Sequence, residues 1–527
     1  MMREYKLFID GEDVEGNGWT YVVRASEFIR DAIPAYNLKR GLELGKHVGE
    51  IPSSVAARCA WANRELCASA LESARRASKE YSRLPFEVRA SIVRQCNREI
   101  RKNYETIIEL MMIEGHPRRL AEWETDGILY GWDDDKIAWH KEQFEASHVV
   151  NGQRTQLLRK ADGVVCLNPP QNAAGSNSAL GLLALLAGNT LVVKAPRSCP
   201  LSVMYIWRDI VQKALEDHGA PVGTLNIVSG ETRDIMRDWI DSPLVDDIMF
   251  FGSSDVGLAI GQECVAAGKK PVLELAGNDG FVVWKDADLD AAARSLSECF
   301  YGSAQICMVP KYALIHPAIA EEFTEKLMKV VSDIKPGYPE DPNTLLSPVL
   351  KADLFYDFLA EAKSLGSEVL CGGNRVNVDN EPDTMGLFFE PTIVKVEGLD
   401  NARKLSCVNE ETFFPLLPIV VVGENETEDL LETVIDFLNQ NKFGLRNSLW
   451  SASAEVAQKF VAYVSNGGQL KINDPHLAHS YVSSHGGTGL SGGTHGEMNY
   501  PAIRTSHLQA VVWGREVPAH VRPDMTV

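Results

Sequence analysis

From about residue 163 onward, short β-branched runs alternate with helical stretches, and this rhythm constrains the fold more than any other feature of the chain. Val164-Val165-Cys166-Leu167, Leu191-Val192-Val193-Lys194, Leu225-Asn226-Ile227-Val228 and Ile248-Met249-Phe250-Phe251 are separated by helical segments. Strands that recur with a helix between them build a parallel sheet with helices on its faces. A second alternating block starts near Val272 and runs to about 474, with helices near 318–334 and 352–365. Upstream, residues 68 to 117 read as two helices. One carries Ala70, Leu71, Ala74 and Ala77 on a single face, and the other runs from about Phe86 to Ile113 before a break near Gly115 and Pro117. The stretch His148 to Arg159 reads as a hairpin around Asn151-Gly152, and Leu508 to Trp513 as a strand that pairs with it or with another subunit. Residues 24 to 46 fit no clear element. A length of 527 residues leaves room for two or three domains.

Charge and cysteine usage narrow the function classes. Acidic side chains number 72 against 52 basic ones, a net charge of −20, which argues against a nucleic-acid or anionic-membrane partner. No stretch approaches the roughly 18 apolar residues of a membrane span, and Met1 to Lys6 carry no apolar signal segment. The ten cysteines are scattered, without the spacing of a zinc site or a redox pair. Each reads as a buried, reduced thiol of a cytoplasmic protein, and no metal site is expected. An exception among them needs its own argument.

Ligands of doubly wound sheets bind at the carboxyl ends of the strands, so those ends hold the candidates. Phe250 to Gly257 reads as a strand, a tight turn and a helix start, with Gly252 and Gly257 allowing close backbone approach and the helix N-terminus offering N–H groups to a phosphate. The same segment is also compatible with an ordinary turn, since its glycine spacing is not the usual dinucleotide fingerprint. Lys194 ends a buried-looking strand, as a sheet-edge solubiliser or as a donor to a cofactor ribose. Glu274 interrupts the apolar run Pro271 to Gly277; it is either surface-facing or a buried carboxylate that needs a partner or a task, with desolvation raising its pKa toward the range of a general base. Cys307 follows the Gly/Ser-rich Tyr301 to Ile306. A free thiol, with a pKa of about 8.5, attacks at neutral pH only if its surroundings activate it.

Order and spacing resolve what each residue alone leaves open. The chain resembles the aldehyde dehydrogenase superfamily over nearly its whole length. The matching segments are Leu84 to Arg94 with Glu114-Gly115-His116-Pro117, Pro170-Gln171-Asn172, Leu191 to Pro200, Pro221 to Gly230, the turn at Gly252, the Leu-Glu-Leu-x-Gly motif at Glu274, the Gln-x-Cys motif at Cys307, Glu410-Glu411-Thr412-Phe413, and Gly486-Gly487 to Gly496-Glu497. The resemblance implies an α/β fold of two parallel-sheet domains plus a small β oligomerisation element. It places a dinucleotide-binding domain at 1–147 and 163–275, a catalytic domain at 276–474, a bridging element at 148–162 and 475–527, and a homodimer or homotetramer. It makes Cys307 the nucleophile, Glu274 the base that activates the hydrolytic water, and Asn172 an oxyanion donor together with the Cys307 N–H. Lys194 is then expected at the adenosine ribose, Ser253 at the pyrophosphate, Glu411 at the nicotinamide ribose and Phe413 against the ring. The implied reaction oxidises a small-molecule aldehyde to its acid through a thiohemiacetal and a thioester, with NADP or NAD taking the hydride.

Departures from the family pattern carry further expectations. Ala304 replaces the glycine usual before the glutamine, Phe251 a small residue in the strand-end turn, and Phe414 the glycine after Phe413. No aromatic follows Asn172, and a family lysine just beyond it is missing. These changes predict a roomier, more polar substrate tunnel for a bulky or polar, anionic aldehyde. His476, His479 and His485 fall at the expected tunnel mouth, where each is either structural or a substrate contact. Arg197, three residues after Lys194, stands where many NAD-using relatives carry a glutamate, and its planar donor fork favours the 2′-phosphate of NADP. The alternatives are a CoA-acylating semialdehyde dehydrogenase, whose relatives generally lack the glutamate at the Glu274 position, and a catalytically silent member acting as a binding protein.

Overall fold

The computed structural model describes residues 2–150, 152–349, 351–423, 430–480, 486–493, 496–498 and 501–514. Two seven-stranded sheets organise these residues. In the first, the strands run Lys270–Glu274, Asp247–Phe251, Val164–Asn168, Thr190–Ala195, Leu225–Ser229, Leu7–Ile9 and Glu12–Val14 in spatial order. The first five are mutually parallel, Leu7–Ile9 joins them antiparallel with Phe8 opposite Ile227, and Glu12–Val14 forms the edge beyond it. Strand order therefore reverses at Val164–Asn168, and the crevice at its carboxyl end is the place where such sheets bind ligands. Apolar clusters cover both faces of this sheet, which is why its strands are continuous apolar runs without alternation.

The second sheet runs Glu368–Cys371, Thr392–Glu397, Leu416–Val421, Pro310–Ile315, Asp279–Val283, Arg446–Trp450 and Gln469–Ile472. All but the first of these strands are parallel to their neighbours, and two further clusters cover its faces. Chain passes from one sheet to the other through the four residues Leu275 to Asn278. A third, antiparallel sheet places Gln153–Ala161 between Glu145–Val150 and Ser506–Val512. The run at Leu508 thus pairs with the hairpin of its own chain. Of the expected hairpin turn, Gly152 is left-handed (φ +72°) and Asn151 lies outside the described residues. The segment Thr488–Gly489 joins none of these three sheets but pairs with Phe443–Gly444.

Two expectations about helices change. The long helix from Phe86 to Ile113 is two helices, Phe86–Lys102 and Tyr104–Ile113, separated at Asn103, whose side chain turns back to the Glu99 carbonyl (2.8 Å). Residues 24 to 46 contain the helices Ala25–Arg30 and Ala32–Glu43. The first buries no residue fully and the second only Ala35 and Leu42, while Ile33 and Tyr36 stay exposed, so no apolar stripe announces them. Among the described residues no helix is long and apolar enough to cross a membrane.

Candidate active site

The segment before Cys307 is held in an unusual backbone shape. Gly302, Ser303 and Ala304 all adopt left-handed conformations, with φ of +58°, +57° and +60°. For the serine and alanine this costs about 1–2 kcal/mol each relative to right-handed backbone, so the loop persists because its surroundings fix it. Ser303 Oγ donates to the Ser347 carbonyl (2.6 Å) and accepts from the Ser347 N–H (3.0 Å). The Gln305 amide donates to the Pro348 carbonyl at 2.9 Å. Buried Lys311 donates from Nζ to the carbonyls of Ala304 (2.7 Å) and Thr412 (2.8 Å), which ties this loop to the segment bearing Glu411 and Phe413.

Three chain segments meet at the thiol. A Cβ on Gly277 would lie 2.0 Å from the Cys307 carbonyl oxygen, so only glycine lets the end of the Glu274 motif touch the Cys307 loop. The Gly277 N–H donates to Glu411 Oε1 (2.9 Å). The Asn172 side-chain amide donates to the Gln305 carbonyl (2.8 Å). Glu274 is buried and accepts from the Gly486 N–H at 2.6 Å, so the glycine-rich C-terminal segment holds the carboxylate. Cys307 itself is half-buried, whereas eight of the ten cysteines are fully buried. Burial, reinforced by Glu411, Glu274 and Asp279, pushes its thiol up to about 12, against a smaller opposing effect of Lys311.

Asn172 is fixed from behind by a buried ion pair. His116 Nε2 donates to the Asn172 carbonyl (2.9 Å) and lies 3.2 Å from Glu124 Oε1, while Glu124 Oε2 accepts from Ser176 Oγ (2.7 Å). Burial disfavours the charged imidazole, but Glu124 and the Asn172 carbonyl outweigh it and hold His116 up at about 9. His116 and Lys311 are functional candidates that sequence reasoning passed over. The signal for Lys311 was a cation inside the apolar run Pro310 to Ile315, of the same kind that marks Lys194.

Residues expected at a dinucleotide line the carboxyl end of the first sheet. Lys194 is 2% exposed, burial pushes it down to about 8, and it has no hydrogen-bond or ion-pair partner among the described residues. Such an orphaned ammonium fits a ligand hydroxyl. Ser253 is the N-cap of Ser254–Ala266, yet its side chain makes no capping bond, so hydroxyl and helix N-terminus are open to an anion. Gly257 would carry a Cβ 2.0 Å from Leu275, and Gly252 one 2.8 Å from the Phe250 ring; both glycines let the turn and helix lie close against their own side chains. Arg197 forms an ion pair with Glu231 at the rim of a cavity of about 770 Å³ between Trp61–Cys67 and the helix Thr232–Asp241. Half-buried Phe413 lies under two ammonium groups, Lys311 at 5.4 Å and Lys351 at 6.0 Å. Among the described residues no His, Cys, Asp and Glu side chains group to hold a metal ion.

On one side Cys307 packs against an apolar wall that includes Leu120, Trp123, Tyr301, Ile306, Met308 and Leu477. Phe251 and Phe414 do not shape that wall; they are 5% and 1% exposed and pack in the cores of the two sheets. His476 is fully buried, with Nδ1 2.7 Å from Ser448 Oγ and Nε2 3.2 Å from Asp279 Oδ2, and takes no part in a tunnel. Half-buried His479 stacks between Trp123 (5.3 Å) and Tyr130 (6.1 Å). His485 lies outside the described residues.

Comparison with known proteins agrees with this geometry. The model described as "Aldehyde dehydrogenase family" matches residues 47–510, and the chain belongs to that family. It is 30% identical over 435 residues to 3,6-anhydro-alpha-L-galactose dehydrogenase of Vibrio sp. (strain EJY3), covering 80% of this chain and 85% of the relative. It is 28% identical to the D-glyceraldehyde dehydrogenase (NADP(+)) of Thermoplasma acidophilum, covering 84% and 88% of the two chains. A Mycobacterium tuberculosis aldehyde dehydrogenase complexed with NAD+ superposes with a TM-score of 0.80 at 22% identity, covering 98% of this chain and 100% of that one. The chain is thus an NAD(P)-dependent aldehyde dehydrogenase by family.

Two outcomes follow from the local physics. Ala304→Gly relieves a left-handed alanine and is expected to raise unfolding stability by about 1 kcal/mol in denaturant titration; a loss of stability would contradict the strain. His116 has a folded pKa raised above its ordinary 6.5. Its contribution to stability is therefore full below about pH 6.5 and lost as pH rises through about 9. Urea midpoints measured from pH 6 to 10 should fall more steeply between about pH 6.5 and 9 in the unsubstituted protein than in His116→Gln; parallel curves would remove the ion pair from the account.

Proposed function

We propose that the protein oxidises a bulky aldehyde to its carboxylic acid by covalent catalysis at Cys307 with hydrolysis assisted by Glu274. The observation that carries this reading is the convergence at Gly277, where the nucleophile loop, the glutamate-bearing strand end and Glu411 come together through main-chain contacts. The thiolate adds to the aldehyde carbon, giving a thiohemiacetal. Its oxygen lies within the field of the Cys307 N–H and of the second N–H of the Asn172 amide, the first being held on Gln305. Losing one such donor typically costs about 10²–10³ in turnover. The thiohemiacetal alkoxide collapses to a thioester as the former aldehyde hydrogen leaves as hydride, for which NAD(P), when bound, would supply the acceptor. Glu274 takes a proton from water, the hydroxide attacks the resulting thioester, and the acid leaves as the Cys307 sulfur departs. The apolar wall beside Cys307 suits the hydrocarbon body of a bulky aldehyde.

The coenzyme is held, in this reading, by Lys194, Ser253, Gly252, Gly257, Glu411 and Phe413 across residues 1–147, 163–275 and the Glu411 segment, with 276–474 carrying the nucleophile. Arg197 favours NADP, and Glu231 offsets part of its charge. The antiparallel sheet of 148–162 with Ser506–Val512 exposes Val149, Val150, Leu508, Val512 and Trp513, a surface suited to a homodimer or homotetramer. Ten free cysteines are consistent with a cytoplasmic setting.

Stopped-flow measurement at 340 nm tests the two-step chemistry. With Glu274→Gln we expect a burst of about one NAD(P)H per active thiol followed by slow turnover, because the thioester forms but is not hydrolysed. Cys307→Ser should give neither phase. A faster steady state on adding CoA to the unsubstituted enzyme would favour acyl transfer over hydrolysis. For the coenzyme, kcat/KM should be higher with NADP than with NAD. Arg197→Glu should reverse the order and Glu231→Gln strengthen it, by about tenfold for each full charge effect; preference for NAD in the unsubstituted enzyme would refute the assignment to Arg197.

A further inference from the structure

We propose that Arg446 anchors a carboxylate at the far end of the aldehyde, so that the site selects ω-carboxylated aldehydes over neutral ones. The inference rests on the Cys307 chemistry proposed above and deepens its substrate class. Arg446 opens the strand Arg446–Trp450, next to Leu445, whose side chain packs on Gly277 beside the Cys307 carbonyl. It is only 7% exposed. Its guanidinium uses one group, Nη1, to donate to the His476 carbonyl (3.1 Å), and it has no ion-pair partner among the described residues. A guanidinium offers five N–H donors in a planar fork, and leaving them unmatched in a buried place is costly.

The acids around Arg446 are already engaged. Asp279, Cys307, Glu274 and Glu298 act on it electrostatically. Asp279 accepts from the Arg446 backbone N–H (3.1 Å) and faces His476 Nε2 (3.2 Å), Glu274 accepts from the Gly486 N–H (2.6 Å), and Glu298 accepts from the Leu477 N–H (2.9 Å). The nearby cation Lys471 is paired with Asp474 (2.7 Å). Among the described residues the side chain of Arg446 makes one hydrogen bond, from Nη1, and its fork keeps donors to spare. The carbonyl it grips belongs to His476, directly before Leu477, which lies in the apolar cluster with Ile306, Met308 and Cys307. An aldehyde whose chain follows that wall has a cation at hand for a distal carboxylate, matched in shape and charge. A neutral aldehyde leaves the fork desolvated and unpaired, which discriminates against it.

The test compares 4-oxobutanoate and 5-oxopentanoate with butanal and pentanal in the full-length enzyme. The unsubstituted protein should favour the carboxylated aldehydes in kcat/KM. Arg446→Gln should lower that preference on the order of 10²-fold, the usual effect of removing one partner of a buried charge pair, read as the ratio of kcat/KM for each carboxylated aldehyde to that for the neutral aldehyde of the same length. Arg446→Lys should keep part of the preference, and thermal unfolding checks that both variants fold. If Arg446→Gln does not fold, succinate and glutarate binding to the unsubstituted protein, by calorimetry at low and high salt, decides. Saturable, salt-weakened binding supports the anchor, and none overturns it. Equal losses for both aldehyde classes, or no preference in the unsubstituted enzyme, also overturn it. Turnover of butanal with NAD(P)H formation would still uphold the thioester chemistry in that case, whereas no turnover of any aldehyde would count against the chemistry itself.

Discussion

The contact on which the site depends is one between main chains, at Gly277. Its α-carbon packs so tightly on the Cys307 carbonyl that a methyl group there would sit 2.0 Å from the oxygen and 2.6 Å from Leu445. Its own N–H is bonded to Glu411. The next residue, Asn278, bonds through its side chain to the Val408 carbonyl (2.7 Å), and its carbonyl accepts from Asn441 (2.7 Å). The short passage between the two sheets is therefore pinned on several sides. Spacing among Glu274, Cys307 and Glu411 is set by backbone, which relaxes far less than side chains do, and catalysis by orientation needs that rigidity.

Electrostatics at this junction work against a resting thiolate. Three carboxylates bear on Cys307, Lys311 and Arg446 oppose them, and burial adds to the same side as the carboxylates. Lys311 is itself spent on two carbonyls and faces the Phe413 ring. A sulfur in such surroundings gains nucleophilicity only when positive charge arrives or a base takes its proton. The ion pair of His116 and Glu124 serves a separate purpose: it fixes the Asn172 backbone through its carbonyl.

Much of this was legible in the chain, and the reasons for the rest are specific. Both parallel sheets followed from the alternation of β-branched runs and helices, because buried strands and their covering helices must each carry continuous apolar character. The edge strands at Leu7 and Glu12 were not visible, being three residues each, too short to show a period. Ala304 was noticed as a departure from glycine, but only the backbone angles give that departure a cost. Phe251 and Phe414 were expected to shape the tunnel, yet sequence position says nothing of which way a side chain turns, and both turn into the cores. His476 stayed open in the sequence as structural or a substrate contact; its burial and its bonds to Ser448 and Asp279 make it structural.

That histidine carries a wider lesson about recognising enzymes from constellations. Ser448, His476 and Asp279 form a continuous serine–histidine–aspartate chain, which a search by residue type would score as hydrolytic machinery. Two features disqualify it. The serine sits on Nδ1 and the aspartate on Nε2, opposite to the arrangement in which a base relays a serine proton. All three side chains are sealed from solvent, so no ester carbonyl reaches the hydroxyl. What the trio does is lock two neighbouring strands and a loop in one alignment, a fastening whose chemistry is borrowed from catalysis and whose work is mechanical.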